Sequence, residues 1–206
     1  MNIAIIGGGN VGGALAQGFR RAGHTVRIGA QFPLSEKSRK LAAVLGEDSF
    51  VLPETAMAEA DAVVLATPPE AVVQMKDLLS RFARDKTVID TTNSIRRRPE
   101  PHPTVLHYLK AECGLEQVVK CFNSTGFENM ANPVYGGKGI DMFAAGSHAG
   151  AKAVAQQLAA DLGFGACWDF GGDDKAELLE QFALAWINLA IMQGHGRGLA
   201  LVVAKR

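Results

Sequence analysis

The sequence predicts an α/β fold, a doubly wound parallel sheet with a C-terminal helical extension. Three observations predict it. The chain opens on a strand, a glycine-rich turn and a helix; short unbroken apolar runs then alternate with segments of helical period; and a long, nearly all-apolar helix follows the last strand. Unbroken β-branched runs suit strands covered on both faces, and their alternation with helices makes parallel crossover units.

The opening stretch organises the rest. Ile3, Ala4, Ile5 and Ile6 form the first strand, and Gly7, Gly9 and Gly12 fill the three glycine positions of G-x-G-x-x-G. Gly7 allows the tight turn, Gly9 lets a pyrophosphate approach the backbone, and Gly12 lets the helix pack on the strand. Val11, Ala14, Leu15 and Phe19 then recur at helical spacing from about Asn10 to Arg21, with Gly23 as the stop. A helix beginning here points its free N–H groups and positive dipole end at phosphates, with Asn10 and Val11 in its first turn. With a second strand at Thr25–Ile28, the context is that of a Rossmann-type dinucleotide site.

NADP is favoured over NAD at the end of that second strand. An NAD site places Asp or Glu there to hold the ribose 2′-hydroxyl, whereas this chain has Ile28, Gly29, Ala30 and Gln31. The segment Ser35-Glu36-Lys37-Ser38-Arg39 that follows offers hydroxyls and cations suited to a 2′-phosphate, so Gln31, Ser35 and Lys37 are the candidate contacts. Ser35 also serves as the N-cap of a short helix that stops at Gly46.

Composition narrows the class. Lys plus Arg and Asp plus Glu are both 21 in 206 residues, giving a formal net charge of zero and no nucleic-acid or anionic-membrane signature. Arg96, Arg97 and Arg98 read as a solvated loop before Pro99. Cys113, Cys121 and Cys167 are too scattered for a disulfide framework or a zinc site, and no metal centre is expected. The N-terminus begins a core strand directly and no apolar run reaches membrane length, so a cytoplasmic protein is expected.

Further strands are expected at Ser49–Leu52, Asp61–Ala66, Thr87–Asp90, Val118–Cys121, Ile140–Ala145 and Gly165–Trp168. A single helix is expected from Pro69 to about Phe82, and a helix from Ala149 to Leu162. Strand ends on one edge carry the candidate ligand groups: Ala66, Thr67 and Pro68; Asn93 among Thr91, Thr92 and Ser94; and Asn123, Ser124 and Thr125. In a doubly wound sheet this edge faces the cofactor. The stretch Phe122 to Pro133 reads as a polar loop. Residues 1–172 form the nucleotide-binding domain, and 173–206 a helical segment whose apolar faces predict both a homodimer contact and a cover for the crevice.

Through IGGGNVGGALA, VVKCFNSTGFENMANP, IDMFAAG and DFGGDDKAELLEQFALAWINLAIMQ, the chain resembles the family of NADPH-dependent oxidoreductases of the deazaflavin coenzyme F420. The resemblance implies direct hydride transfer between nicotinamide and deazaflavin, with the protein supplying stacking geometry rather than acid–base groups. The family's Ser-Arg pair for the 2′-phosphate would fall on Ala30 and Gln31, which depart from it. No triad, metal cluster or paired carboxylates stand out, and no catalytic side chain is assigned. The expected function is hydride transfer between NADP(H) and a flavin-like or deazaflavin acceptor. Reduction of a small imine or carbonyl, or a non-catalytic NADP(H)-sensing role, remain open alternatives.

Overall fold

The computed structural model describes every residue except 33 and 34, together with the side chain of Lys37. An eight-stranded sheet carries the molecule. Six strands are parallel: β1 (Asn2–Ile6), β2 (Thr25–Gly29), β3 (Phe50–Val51), β4 (Ala62–Leu65), β5 (Thr87–Asp90) and β6 (Val118–Cys121). They lie in the order β3-β2-β1-β4-β5-β6, so the chain reverses its winding between β1 and β4. That reversal leaves a crevice at the carboxyl ends of β1 and β4, the edge where ligands of such sheets bind.

A two-stranded hairpin, β7 (Val134–Tyr135) and β8 (Lys138–Gly139), precedes β9 (Met142–Ala145), which joins β6 antiparallel. β10 (Cys167–Gly171) then pairs parallel to β9 and closes the sheet at that end. The sheet is therefore mostly rather than wholly parallel, because a hairpin in place of a helical crossover returns the chain in the opposite sense.

The period-two alternation of β1 explains its unbroken apolar run. Ile3 and Ile5 join one core cluster with Leu15 and Phe19 of α1 (Asn10–Arg21) and with Ala155 and Leu158 of α8 (Ala149–Asp161). Ala4 and Ile6 join the opposite cluster with Met57 of α3 (Pro53–Ala58), Leu79 of α5 (Lys76–Phe82) and Leu106 of α6 (Val105–Cys113). Both faces are thus covered, and a polar residue would be buried on either. Full burial of a side chain such as Phe19 contributes roughly 1.5–3 kcal/mol.

Two expectations need correction. The segment expected as one helix from Pro69 to Phe82 is two, α4 (Pro69–Gln74) and α5, with the break at Met75, whose backbone φ of −98° and ψ of 17° leaves the helical region. The stretch 122–133, expected as loop, contains the short helix α7 (Phe127–Ala131), which packs on α1. A five-residue helix among Asn and Gly residues carries too few periods for its pattern to register.

The C-terminal helix α9 (Ala176–Ile187) continues into a π-helical turn at Asn188–Met192. Leu179 and Phe182 of α9 pack on Phe143 of β9, with Phe143 and Phe182 edge to face at 4.7 Å between ring centroids. Leu178, Ile191 and Met192 remain exposed. Beyond it the tail runs back over the domain: Leu199 O accepts from Trp186 Nε1 at 2.7 Å and from Asn129 Nδ2 at 2.8 Å.

Candidate cofactor site

The glycine turn does what its sequence requires. Gly7 has a φ of +109°, and a Cβ there would lie 2.5 Å from the carbonyl oxygen of Ala66, so only glycine allows β1 and the end of β4 to approach. A Cβ on Gly12 would overlap the Gly7 carbonyl oxygen. Gly9 is different. Its φ of −73° suits any residue, and nothing among the described residues lies within 4 Å of the position a Cβ would take. Open space above Gly9, next to the first N–H groups of α1, is what close approach of a pyrophosphate needs. Gly8, Gly9 and Asn10 form one end of a groove of about 550 Å³ that continues past Lys40, Leu41 and Phe127. Lys40, which the sequence pattern did not single out, places a cation on this groove.

Among the candidate 2′-phosphate contacts, Gln31 is exposed just past β2, and Ser35 precedes α2 (Glu36–Leu45) with its hydroxyl 2.9 Å from that of Ser38. The Ser35 side chain makes no cap to its helix. Lys37 is placed on α2, but its side chain lies outside the described part of the structure.

The other strand ends converge as expected, and the polar residues there divide by orientation. Thr91 Oγ donates to Leu65 O at 2.7 Å, Thr92 donates through both N–H and hydroxyl to Asp90 Oδ1, and Ser94 Oγ accepts from Val105 N–H. All three are buried structural groups. Asn93 alone in this run, apart from the arginines beyond it, faces outward. Across the crevice, Asn123 Nδ2 lies 3.5 Å from Asn93 Oδ1, while Asn123 Oδ1 is buried without a partner among the described residues. An orphaned acceptor beside an exposed amide fits a ligand amide such as a nicotinamide carboxamide. Phe122, just before Asn123, has a φ of +63°, unusual for an aromatic residue. Its ring is fully buried beside Phe19 and Phe164, which holds that conformation and turns the chain toward Asn93.

Ser124 and Thr125 are placed at the same strand end but point inward. Ser124 Oγ lies 3.6 Å from Met142 Sδ, and Thr125 Oγ accepts from Asn129 Nδ2 at 2.7 Å. Ala66, Thr67 and Pro68 border the crevice at the end of β4, with Pro68 exposed ahead of α4.

A charged cluster that the sequence reading missed lies behind Asn93. Lys120 Nζ is 3.1 Å from Asp90 Oδ2 and 2.8 Å from Glu180 Oε1, and donates to Thr92 O at 2.8 Å; the side chains of Lys120 and Asp90 are fully buried. Burial alone would push the Lys120 ammonium down, but Asp90 and Glu180 outweigh it and the group stays charged above its ordinary range. Burial pushes Glu180 up, since Lys120 compensates only in part and the charge of Asp90 adds to the rise. Its signal in sequence is a lysine inside the apolar run Val118-Val119-Lys120-Cys121, in register with Asp90 on the neighbouring strand.

Beside Asn93 a second groove, of about 420 Å³, is lined by Ile95, Arg96, Leu184, Ile187, Ile191 and Met192. It is predominantly apolar and lies under the end of α9.

Residues 2–94 match the family model described as NADP oxidoreductase, coenzyme F420-dependent. No curated protein matches the chain. Among solved structures, a protein from Arthrobacter sp. FB24, provisionally assigned as an F420-dependent NADP-reductase, superposes with a TM-score of 0.85 at 23% identity over 100% of both chains. A protein from Sinorhizobium meliloti follows at a TM-score of 0.69 and 25% identity, covering 100% of this chain and 96% of its own. An imine reductase from Myxococcus stipitatus shares the fold at a TM-score of 0.66 and 18% identity, over 94% of this chain and 62% of that one. The glycine loop, the β4 end and Asn93 all fall within the matched segment, so residues 2–94 carry the signature of the coenzyme F420-dependent NADP oxidoreductases.

Proposed function

We propose that this chain binds NADP(H) along the carboxyl edge of the sheet and transfers hydride to a planar flavin-like or deazaflavin acceptor. Gly7, Gly9 and Gly12 at the start of α1 would hold the pyrophosphate, where Gly9 leaves open space. Gln31 and Ser35 face the 2′-phosphate, in place of the Asp or Glu of an NAD site. Pro68, Asn93 and Asn123 would border the nicotinamide, and Asn123 Oδ1, unpartnered among the described residues, would accept from its carboxamide N–H. The observation that carries the reading is the apolar groove opening beside Asn93, on the far side of which stand Leu184, Ile187 and Ile191.

The bound dinucleotide supplies the hydride chemistry. The protein's part is to align the two rings and keep water out, for which apolar walls serve and a general acid is not required. Groove walls of Ile95, Leu184, Ile187, Ile191 and Met192 offer surface to a ring system, and Arg96 at the rim offers charge to an anionic substituent. The same walls disfavour imine or carbonyl reduction, since Asn93 and Arg96 are the polar residues of the groove and neither donates a proton readily at neutral pH.

Replacing Ile187 by Arg tests the placement. It should raise KM for the acceptor at least tenfold and leave NADPH affinity within threefold; equal loss of both would remove the acceptor from this groove. Residues 173–206 act in this reading as the cover of the acceptor site, and the exposed Leu178, Ile191 and Met192 as a contact between two copies of the chain. Sedimentation at micromolar concentration tests the latter, with a monomer as the contradicting result.

A further inference from the structure

The cluster of Asp90, Lys120 and Glu180 is an expensive way to hold a helix. Two carboxylates and one ammonium are removed from water, and Glu180 Oε2 is left without a partner among the described residues. Apolar contacts already fix α9 to the sheet through Leu179 and Phe182. What the cluster adds is directed at one place. Lys120 Nζ donates to Thr92 O at 2.8 Å, Asp90 Oδ1 accepts from Thr92 N–H at 2.9 Å, and Glu180 Oε1 accepts from Ser94 N–H at 2.8 Å. The peptide groups on both sides of Asn93 are therefore pinned by buried charge, one of them from the C-terminal helix, while the Asn93 side chain is left exposed at the crevice. Charge-assisted bonds of this kind are short and directional, and at a ligand-orienting residue a displacement of an ångström is costly.

We propose that Glu180 is a positioning residue for the nicotinamide half of the cofactor site: through Ser94 and Lys120 it sets the place of Asn93, so that α9 completes a site otherwise built by the N-terminal half of the chain. The proposal rests on the cofactor reading above. It makes the C-terminal helix a determinant of how the nicotinamide is held, in addition to a wall for the acceptor.

The test compares binding of NADPH with binding of 2′-phospho-ADP-ribose, which is the same ligand without the nicotinamide ring. Glu180→Asp keeps the charge but shortens the reach to Ser94 N–H by one methylene; Glu180→Gln keeps the reach. Glu180→Asp should weaken NADPH about tenfold and leave 2′-phospho-ADP-ribose unchanged, with Glu180→Gln restoring NADPH to within threefold of the unmodified protein. A merely structural role would move both ligands together, and that result, or unchanged NADPH affinity in Glu180→Asp, overturns the proposal. Should Glu180→Asp fail to fold, hydrogen exchange on the unmodified protein decides: residues 92–94 and α9 should slow together with NADPH and not with 2′-phospho-ADP-ribose, and independent exchange overturns it. If the unmodified protein binds neither ligand, the cofactor reading itself falls, and the positioning role with it.

Discussion

Lys120 on β6 and Glu180 on α9 meet at 2.8 Å in a place where neither side chain is appreciably exposed. Removing one partner of such a pair leaves the other uncompensated. Lys120→Met strands two carboxylates, and a loss of about 3–5 kcal/mol is expected in urea unfolding. The stability that Lys120 adds is fully present below its ordinary value of 10.5 and is lost as pH rises through its higher folded value. Glu180 has the opposite consequence on the acid side. Its folded value is raised above 4.5, so ionising it costs stability as pH rises through that range. The stability difference between Glu180→Gln and the unmodified protein should therefore shift toward the variant as pH rises from acid to neutral, whatever its offset from the lost partner of Lys120; a difference independent of pH would contradict the environment assigned to this group.

Gly9 and Gly12 separate binding from folding. Because nothing among the described residues occupies the space beyond Gly9, Gly9→Val should cost no more than the roughly 1 kcal/mol of a poorer N-cap while abolishing nucleotide binding. Gly12→Ala forces its methyl onto the Gly7 carbonyl oxygen and should cost about 1–3 kcal/mol through displacement of α1. Thermal melts with and without NADPH read both effects. Retained NADPH binding by Gly9→Val would remove the pyrophosphate from this turn.

Preference for the phosphorylated dinucleotide should reside in the segment after β2. Ser35→Ala removes a hydroxyl that bonds that of Ser38 among the described residues, and should weaken NADPH roughly 3- to 10-fold with no change for NADH. Equal effects on both cofactors would place the 2′-phosphate elsewhere, with Lys40 the next residue to replace.

The C-terminal tail is fastened by Arg197. Its Nε lies 2.5 Å from Glu128 Oε1, and its guanidinium stands over the rings of Phe127 at 5.2 Å and Trp186 at 5.6 Å. Burial works against the Glu128 charge, but Arg197 outweighs it and holds the carboxyl below its ordinary value of 4.5. That stabilisation is present above 4.5 and lost as pH falls through the folded value. With both groups more than a third exposed, Arg197→Met should cost only about 1 kcal/mol, yet limited proteolysis should then reach residues beyond 197 first. Unchanged cleavage would mean that the tail is held by its other contacts, Leu199 O to Trp186 Nε1 and Asn129 Nδ2, Val203 N–H to Asp141 Oδ2, and Lys205 over Trp168.

Much of this arrangement was legible in the sequence, for identifiable reasons. The strand, turn and helix from Asn2 to Arg21 are where expected because each residue there meets a local rule: β-branched residues on two covered faces, glycines at a close approach, apolar residues at helical spacing. Asn93 and Asn123 were legible as polar residues past strand ends, though not as a pair. Their meeting depends on β5 and β6 being neighbours and on the positive φ of Phe122, which are tertiary facts. Thr91, Thr92 and Ser94 looked equivalent to Asn93, since a hydroxyl that caps a turn and one that faces a ligand have the same local sequence. The Lys120 cluster shows in the sequence only as a lone lysine inside an apolar run, and its partners are hidden for a similar reason. Glu180 comes to it from a helix whose apolar surround suggested packing alone, and only the sheet register sets Asp90 beside Lys120. The hairpin that turns β9 antiparallel was hidden in Val134–Gly139, where each strand is only two residues long.

The central claim is hydride transfer from NADPH to a planar ring acceptor in the groove beside Asn93. The most direct measurement is anaerobic oxidation of NADPH by the purified protein, with coenzyme F420, FMN and no acceptor run side by side. Rapid turnover with one of the two rings, and none without, is the predicted result. Tight NADPH binding with neither ring reduced would contradict it.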